Sequence, residues 1–105
     1  MHRLDEAQTQ LEAILRTDPK SAETHEFLGN LMVARKQIGR AIAEYREAVR
    51  IEPEFSRAHL DLGKTLADSG DLTGALPYLR KAAQSTDAAI RDEATKVLDK
   101  FGQVP

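Results

Sequence analysis

The sequence has no cysteine and no tryptophan, and only 5% of its 105 residues are aromatic. Without cysteine there are no disulfides, no thiolate metal sites and no thiol nucleophile. A net basic charge is also missing: 15 Lys and Arg stand against 17 Asp and Glu, a formal −2 with histidine neutral. A nucleic-acid-binding surface needs a net positive field, so that class of partner is not expected. No apolar stretch approaches the roughly 18 residues of a membrane span, and a membrane partner is not expected either. The opening residues, Met1-His2-Arg3-Leu4-Asp5-Glu6, place acids where an export signal carries an apolar run. With 41% hydrophobic and 30% charged residues, the composition fits one soluble globular domain that can bury a core without covalent staples.

What the sequence does have is a repeat. Ala7, Ala41 and Ala75 stand 34 residues apart, as do Leu4, Ile38 and Leu72, then Leu11, Tyr45 and Leu79, then Ile14, Ala48 and Ala82. Pro19 pairs with Pro53, His25 with His59, and Leu28-Gly29 with Leu62-Gly63 at the same spacing. Self-similarity at a fixed period of this length marks an array of supersecondary units.

Each unit reads as two helices, A and B. In 22–35 the apolar Phe27, Leu28, Leu31 and Met32 recur at helical steps, and in 38–51 Ile38, Ala41, Ile42, Tyr45, Ala48 and Val49 do the same. Pro53 stops the second helix, because proline lacks the N–H and disfavours helix in the residue before it. The next unit predicts helices over 56–67 and 72–83, with Ser69-Gly70-Asp71 as the turn and Ser56 and Asp71 as N-caps. Pro77 falls early in the last helix B, where a gentle distortion is expected rather than a break. Glycine inside a helix costs about 1 kcal/mol relative to alanine, so Gly29 and Gly63 need a reason. The recurring Ala41 and Ala75 suggest a close crossing of two helices, flanked by Leu28 with Tyr45 and Leu62 with Leu79. No segment has a strand-like alternation.

At these residues the sequence resembles the tetratricopeptide repeat, a 34-residue helix hairpin. Residues 22–55 match through His25, Leu28, Gly29, Met32, Ala41, Tyr45, Ala48 and Pro53. Residues 56–89 match through His59, Leu62, Gly63, Leu66, Ala75, Leu79 and Ala82, with Asp87 replacing the closing proline. A preceding helix B matches at Ala7, Leu11, Ile14 and Pro19. The resemblance implies an all-α, right-handed solenoid of antiparallel hairpins: a half-repeat over 3–19, two full repeats, and a C-terminal helix over 88–102. Helix B at 3–16 comes without its helix A, so the face formed by Leu4, Leu11 and Leu15 needs cover from a neighbour in a longer protein or from another copy of this chain. In 87–102, Ile90, Ala94, Val97, Leu98 and Phe101 form one apolar stripe. Capping is the expected role, since solenoid ends need a polar-faced cap; a faint likeness of 89–94 to a HEAT repeat helix is the alternative.

Chemistry finds little purchase. His25-Glu26 opens like a zinc-protease motif, but Gly29 stands where the second histidine belongs. His25 and His59 follow the structural period, which marks them as packing residues. Acids lie on polar faces, with Glu12 spaced i,i+4 from Arg16. Gly70 and Gly74 lack the lysine of a phosphate loop. No nucleophile, base and orienter assemble, so neither an enzyme nor a metal or cofactor site is expected.

The resemblance instead implies a concave surface lined by helix A, used to bind a protein or peptide. Its ligand-facing positions are Glu23, Glu26, Phe27 and Asn30 in one repeat and Arg57, Leu60, Asp61 and Lys64 in the next. Asn30, Arg57 and Lys64 suit a carboxylate clamp in type, but Glu26 and Asp61 have the wrong sign for one. The alternative functions are an array segment packing on its own parent domains, and self-association through Leu4, Leu11 and Leu15.

Overall fold

The computed structural model describes residues 2–102. Among the described residues all helix and strand assignments are helical: α1 (His2–Thr17), α2 (Ala22–Ala34), α3 (Ile38–Ile51), α4 (Ser56–Asp68), α5 (Leu72–Ala82) and α6 (Ala88–Gly102). The chain divides into two compact units between Pro53 and Glu54.

In the first unit α2 and α3 form a hairpin, and α1 packs on α2. Helix α2 starts where the Ser21 hydroxyl accepts from the Thr24 N–H at 3.2 Å, satisfying one orphan donor of the first turn. This cap is absent from the sequence-based expectations. The helix buries Leu28, Leu31 and Met32, and α3 answers with Ala41, Tyr45 and Ala48. Between them the chain reverses at Lys36, whose φ is 61°. Gln37 N–H bonds the Met32 carbonyl at 2.8 Å and Lys36 N–H bonds that of Val33 at 2.9 Å. This is a Schellman ending, which places its reversing residue in the left-handed region. A lysine there costs roughly 1 kcal/mol that glycine does not.

The second unit repeats the device with the suitable residue. Gly70 has φ 97°, and Asp71 N–H and Gly70 N–H reach the carbonyls of Leu66 and Ala67 at 2.9 and 3.0 Å. Here α4 and α5 form the hairpin, burying Ala58, Leu62 and Leu66 against Ala75, Leu79 and Ala82. Asp71 caps α5 as expected, accepting from Gly74 N–H at 2.8 Å. Ser56 does not cap α4. It is already the first helical residue, because the Phe55 carbonyl takes the His59 N–H at 3.1 Å, so the N-cap is Phe55, which has no side-chain acceptor. Helix α5 runs through Pro77 without a break.

Helix α6 packs on α5 and α4. Its start is held by Asp87, whose Oδ1 accepts from Ala89 N–H at 2.9 Å and Ile90 N–H at 3.3 Å. Ala94 is buried, Ile90, Val97, Leu98 and Phe101 are half-buried, and Arg91, Asp92, Lys96, Asp99 and Lys100 are exposed. That is the polar-faced distribution of a terminal helix.

The close approach at the helical glycines is made by large side chains, not by Ala41 and Ala75. A Cβ on Gly29 would stand 2.5 Å from Tyr45 Cε1, and one on Gly63 2.7 Å from Leu79 Cγ. Each glycine is the recess that admits its partner helix's bulkiest core residue.

Glu12 also finds a different partner from its i+4 neighbour. Arg40 on α3 donates to it at 2.8 Å and ties α1 to the hairpin. That hydrogen bond, helped by one from Gln8, holds the Glu12 carboxyl below its ordinary 4.5. A depressed carboxyl contributes stability that is present above the unfolded value and lost as pH falls through the folded one. The side chain is 39% exposed, so solvent screening keeps the contribution under about 1 kcal/mol. Glu12→Gln is therefore expected to lower the melting temperature slightly near neutral pH, and the gap to wild type is expected to close below about pH 3. An equal gap at both pH values contradicts this account.

Candidate interaction face

The outer face of α2 carries Glu23, Phe27 and Asn30, spaced so that all three share one side of the helix. All three are exposed, and Phe27 keeps 43% of its surface in contact with solvent. Glu26, grouped with them by its register, is fully buried. Its Oε2 accepts from Asn30 Nδ2 at 2.9 Å, and Asn30 Oδ1 in turn accepts from the Tyr45 hydroxyl at 2.6 Å. The result is a hydrogen-bonded chain from α3 through the surface amide to a carboxyl group in the interior. One helical turn is 3.6 residues, so Glu26 is rotated inward from Phe27 by a full residue step, which is enough to carry it from the face to the core side.

His25 is a packing residue, as its period suggests. Its Nδ1 lies 2.8 Å from Glu44 Oε1 on α3, and its Nε2 lies 3.0 Å from the Pro19 carbonyl oxygen. The ring pins the loop before α2 to the hairpin. His59, its counterpart, is buried and stacks on Tyr78, with centroids 5.9 Å apart.

On α4 the expected positions separate in the same way. Arg57 is exposed, with its guanidinium 5.3 Å from the centre of the Phe55 ring. Lys64 and Asp61 are half-buried, and Lys64 Nζ lies 3.9 Å from Glu93 on α6. Leu60 is only 8% exposed and belongs to the core. It stands 34 residues after Glu26, and Ala94 follows 34 later; all three are buried. This register position therefore faces inward in α2, α4 and α6.

The apolar residues of α1 are redistributed as well. Leu4, Leu11 and Leu15 are half-buried, whereas Ile14 is 46% exposed. Ile14 shares its register with Ala48 and Ala82, which are fully buried, so periodicity alone assigned it to a core. Among the described residues no group of three or more His, Asp or Glu stands close enough to hold a metal ion. No helix among them is long and apolar enough to cross a membrane.

Comparison with known proteins gives the same architecture. The chain matches the tetratricopeptide repeat family over residues 1–54 and again over 28–90. It is similar to a TPR repeat-containing protein of Pseudomonas aeruginosa, with 41% identity over 69 residues, covering 66% of this chain and 28% of that protein. It is also similar to a protein of Pseudomonas putida named as a probable biofilm formation methyltransferase, WspC, with 31% identity over 81 residues, covering 77% of this chain and 19% of that one. The chain thus spans well under a third of either relative.

Proposed function

The chain belongs to the tetratricopeptide repeat family, and from that premise we propose that it is a protein- or peptide-binding module working through the exposed helix-A face of each repeat. Repeats of this family generally mediate protein–protein interaction, and they are typically non-enzymatic. The observation that carries the reading is Phe27. A large apolar side chain that keeps 43% of its surface in water leaves much of its burial free energy to be gained on contact with a partner. Glu23 and Asn30 flank it with one acid and one amide. A face of that kind suits an extended segment or an amphipathic helix offering an apolar residue among polar groups. On α4, Arg57, Asp61 and Lys64 supply charge of both signs, which favours register over bulk affinity.

The test is a peptide selected from a displayed random library on the wild-type chain. Phe27→Ala is expected to weaken its binding by roughly tenfold or more, as loss of a central aromatic anchor does. The melting temperature is expected to stay close to wild type, because little buried area is lost. Unchanged affinity in both Phe27→Ala and Asn30→Ala rejects the reading.

A second reading rests on Ile14. Exposed on α1, with Leu11 and Leu15 half-buried beside it, it supports either self-association or packing against other parts of a longer protein. The latter accords with the small fraction of each relative that the chain spans. For self-association, light scattering across a concentration range is expected to show a mass above the monomer that Ile14→Asp returns to the monomer. A mass independent of both concentration and this substitution removes the self-association version.

A further inference from the structure

The polar chain Tyr45–Asn30–Glu26 belongs to the first repeat alone. At the corresponding positions 34 residues on, the second repeat has Leu79, Lys64 and Leu60. Leu79 is fully buried against Gly63, as Tyr45 is buried against Gly29, and Leu60 is buried where Glu26 is. The hairpin therefore closes equally well with leucine at both inner positions. A buried carboxyl group and a buried phenol are costly replacements for leucine, since each must find hydrogen bonds away from water. Their shared contact is the amide of Asn30, which lies on the exposed face.

Two hydrogen bonds fix that amide in one orientation. Tyr45 donates its O–H, which requires the carbonyl oxygen of Asn30 on that side. Glu26 accepts through Oε2, which requires the NH₂ group on the other. A primary amide has two donor hydrogens and two acceptor lone pairs, so one N–H and one lone pair of Asn30 remain after these bonds. They sit side by side in the amide plane. That pair matches a backbone peptide group, which offers one C=O acceptor and one N–H donor along an extended chain.

We infer that Asn30 reads the main chain of a bound extended peptide, and that Tyr45 and Glu26 are positioning residues that hold its amide ready for it. The inference rests on the helix-A binding reading above and sharpens it. Phe27 takes a side chain of the bound segment, and Asn30 takes its backbone, so recognition at Asn30 is independent of sequence while Phe27 supplies the preference. A fixed amide loses less rotamer freedom on binding than a free one.

The experiment uses the library-selected peptide and a set of its analogues, each methylated at one backbone nitrogen. Binding is measured on wild type, Phe27→Ala, Asn30→Ala, Tyr45→Phe and Glu26→Leu. Tyr45→Phe keeps the ring that fills the recess at Gly29, and Glu26→Leu installs the second repeat's own residue, so both are expected to keep a cooperative melt near that of wild type. Asn30→Ala, Tyr45→Phe and Glu26→Leu are each expected to weaken binding by roughly tenfold, the scale of one lost well-placed hydrogen-bonded contact. One methylated analogue is expected to lose affinity for wild type but not for Asn30→Ala. In the side-chain amide region of the NMR spectrum, the Asn30 NH₂ pair is expected to shift in both positioning variants before any peptide is added. If Phe27→Ala weakens binding while Tyr45→Phe and Glu26→Leu leave it unchanged, the face is right and the positioning role is wrong. If no methylated analogue distinguishes wild type from Asn30→Ala, main-chain reading is overturned. Loss of effect at Phe27 and Asn30 together overturns the underlying binding reading instead.

Discussion

Leu28→Ala is expected to cost the chain about 2–5 kcal/mol, the range for truncating a fully buried leucine. Leu28 is essentially inaccessible to solvent and lies in the seam between α2 and α3. Truncation removes three carbons of transfer free energy and leaves a cavity that two helices joined by a three-residue turn can only partly close. Against a total of roughly 5–15 kcal/mol for a domain of this size, that is a large share. The melting temperature is expected to fall by about 8 °C or more, using the usual conversion for small domains. Leu79→Ala tests the same point in the second unit, since Leu79 is equally buried between α5 and α4. The internal control is Phe27→Ala, which deletes a larger side chain but one that is largely exposed. A shift at Leu28 no larger than that at Phe27 contradicts the packing described here.

The second large effect is at Gly29, and its sign depends on its neighbour. In wild type, a methyl group at Gly29 would be driven into the Tyr45 ring, 2.5 Å from Cε1 and 2.6 Å from Cδ1. The ring is buried, and its hydroxyl is tied to Asn30, so it cannot swing away without losing that bond. Overpacking of this kind costs about 1–3 kcal/mol. It outweighs the helix-propensity gain of about 1 kcal/mol from glycine to alanine. In a Tyr45→Ala background the obstruction is gone, and the same Gly29→Ala change is expected to stabilise by up to about 1 kcal/mol. A double-mutant cycle read by denaturant unfolding measures the coupling, which should be well above the few tenths that unconnected sites show. Additive effects of the two substitutions would show that the glycine is not there for the ring.

These two positions also mark how far the residues alone carry the argument. The 34-residue period was legible because core positions recur with the fold: Ala41 with Ala75, Ala48 with Ala82, Leu28 with Leu62, all buried. Helix bounds followed within a residue or two, and Asp71 was legible as a cap because its side chain acts on its own helix start. Ser56 misled for a related reason. Capping depends on which carbonyl first accepts a helical bond, and here that is Phe55's, a matter of backbone path rather than of residue type. Lys36 in the left-handed region could not be read at all, because nothing in a lysine announces it; only its alignment with Gly70 hints at it.

The interaction face was half legible. Helical spacing placed Glu23, Phe27 and Asn30 on one side of α2, and all are exposed. It also placed Glu26 and Leu60 on the binding side, where they are buried. A helix's period says which residues share a side, but the width of the buried stripe depends on what packs against it. The same reason moved Ile14 from the core to the surface.

By itself the sequence determined the helical hairpins, their period, their core leucines and alanines, and the family, because those are set by local spacing and by the repeated need to bury one stripe per helix. Tertiary structure decided which side chain each glycine admits, that Glu12 reaches Arg40 rather than Arg16, and that Tyr45, Asn30 and Glu26 form one hydrogen-bonded chain. Those are contacts between side chains from different helices or turns, and their partners are chosen by distance in space, which no spacing along one helix encodes.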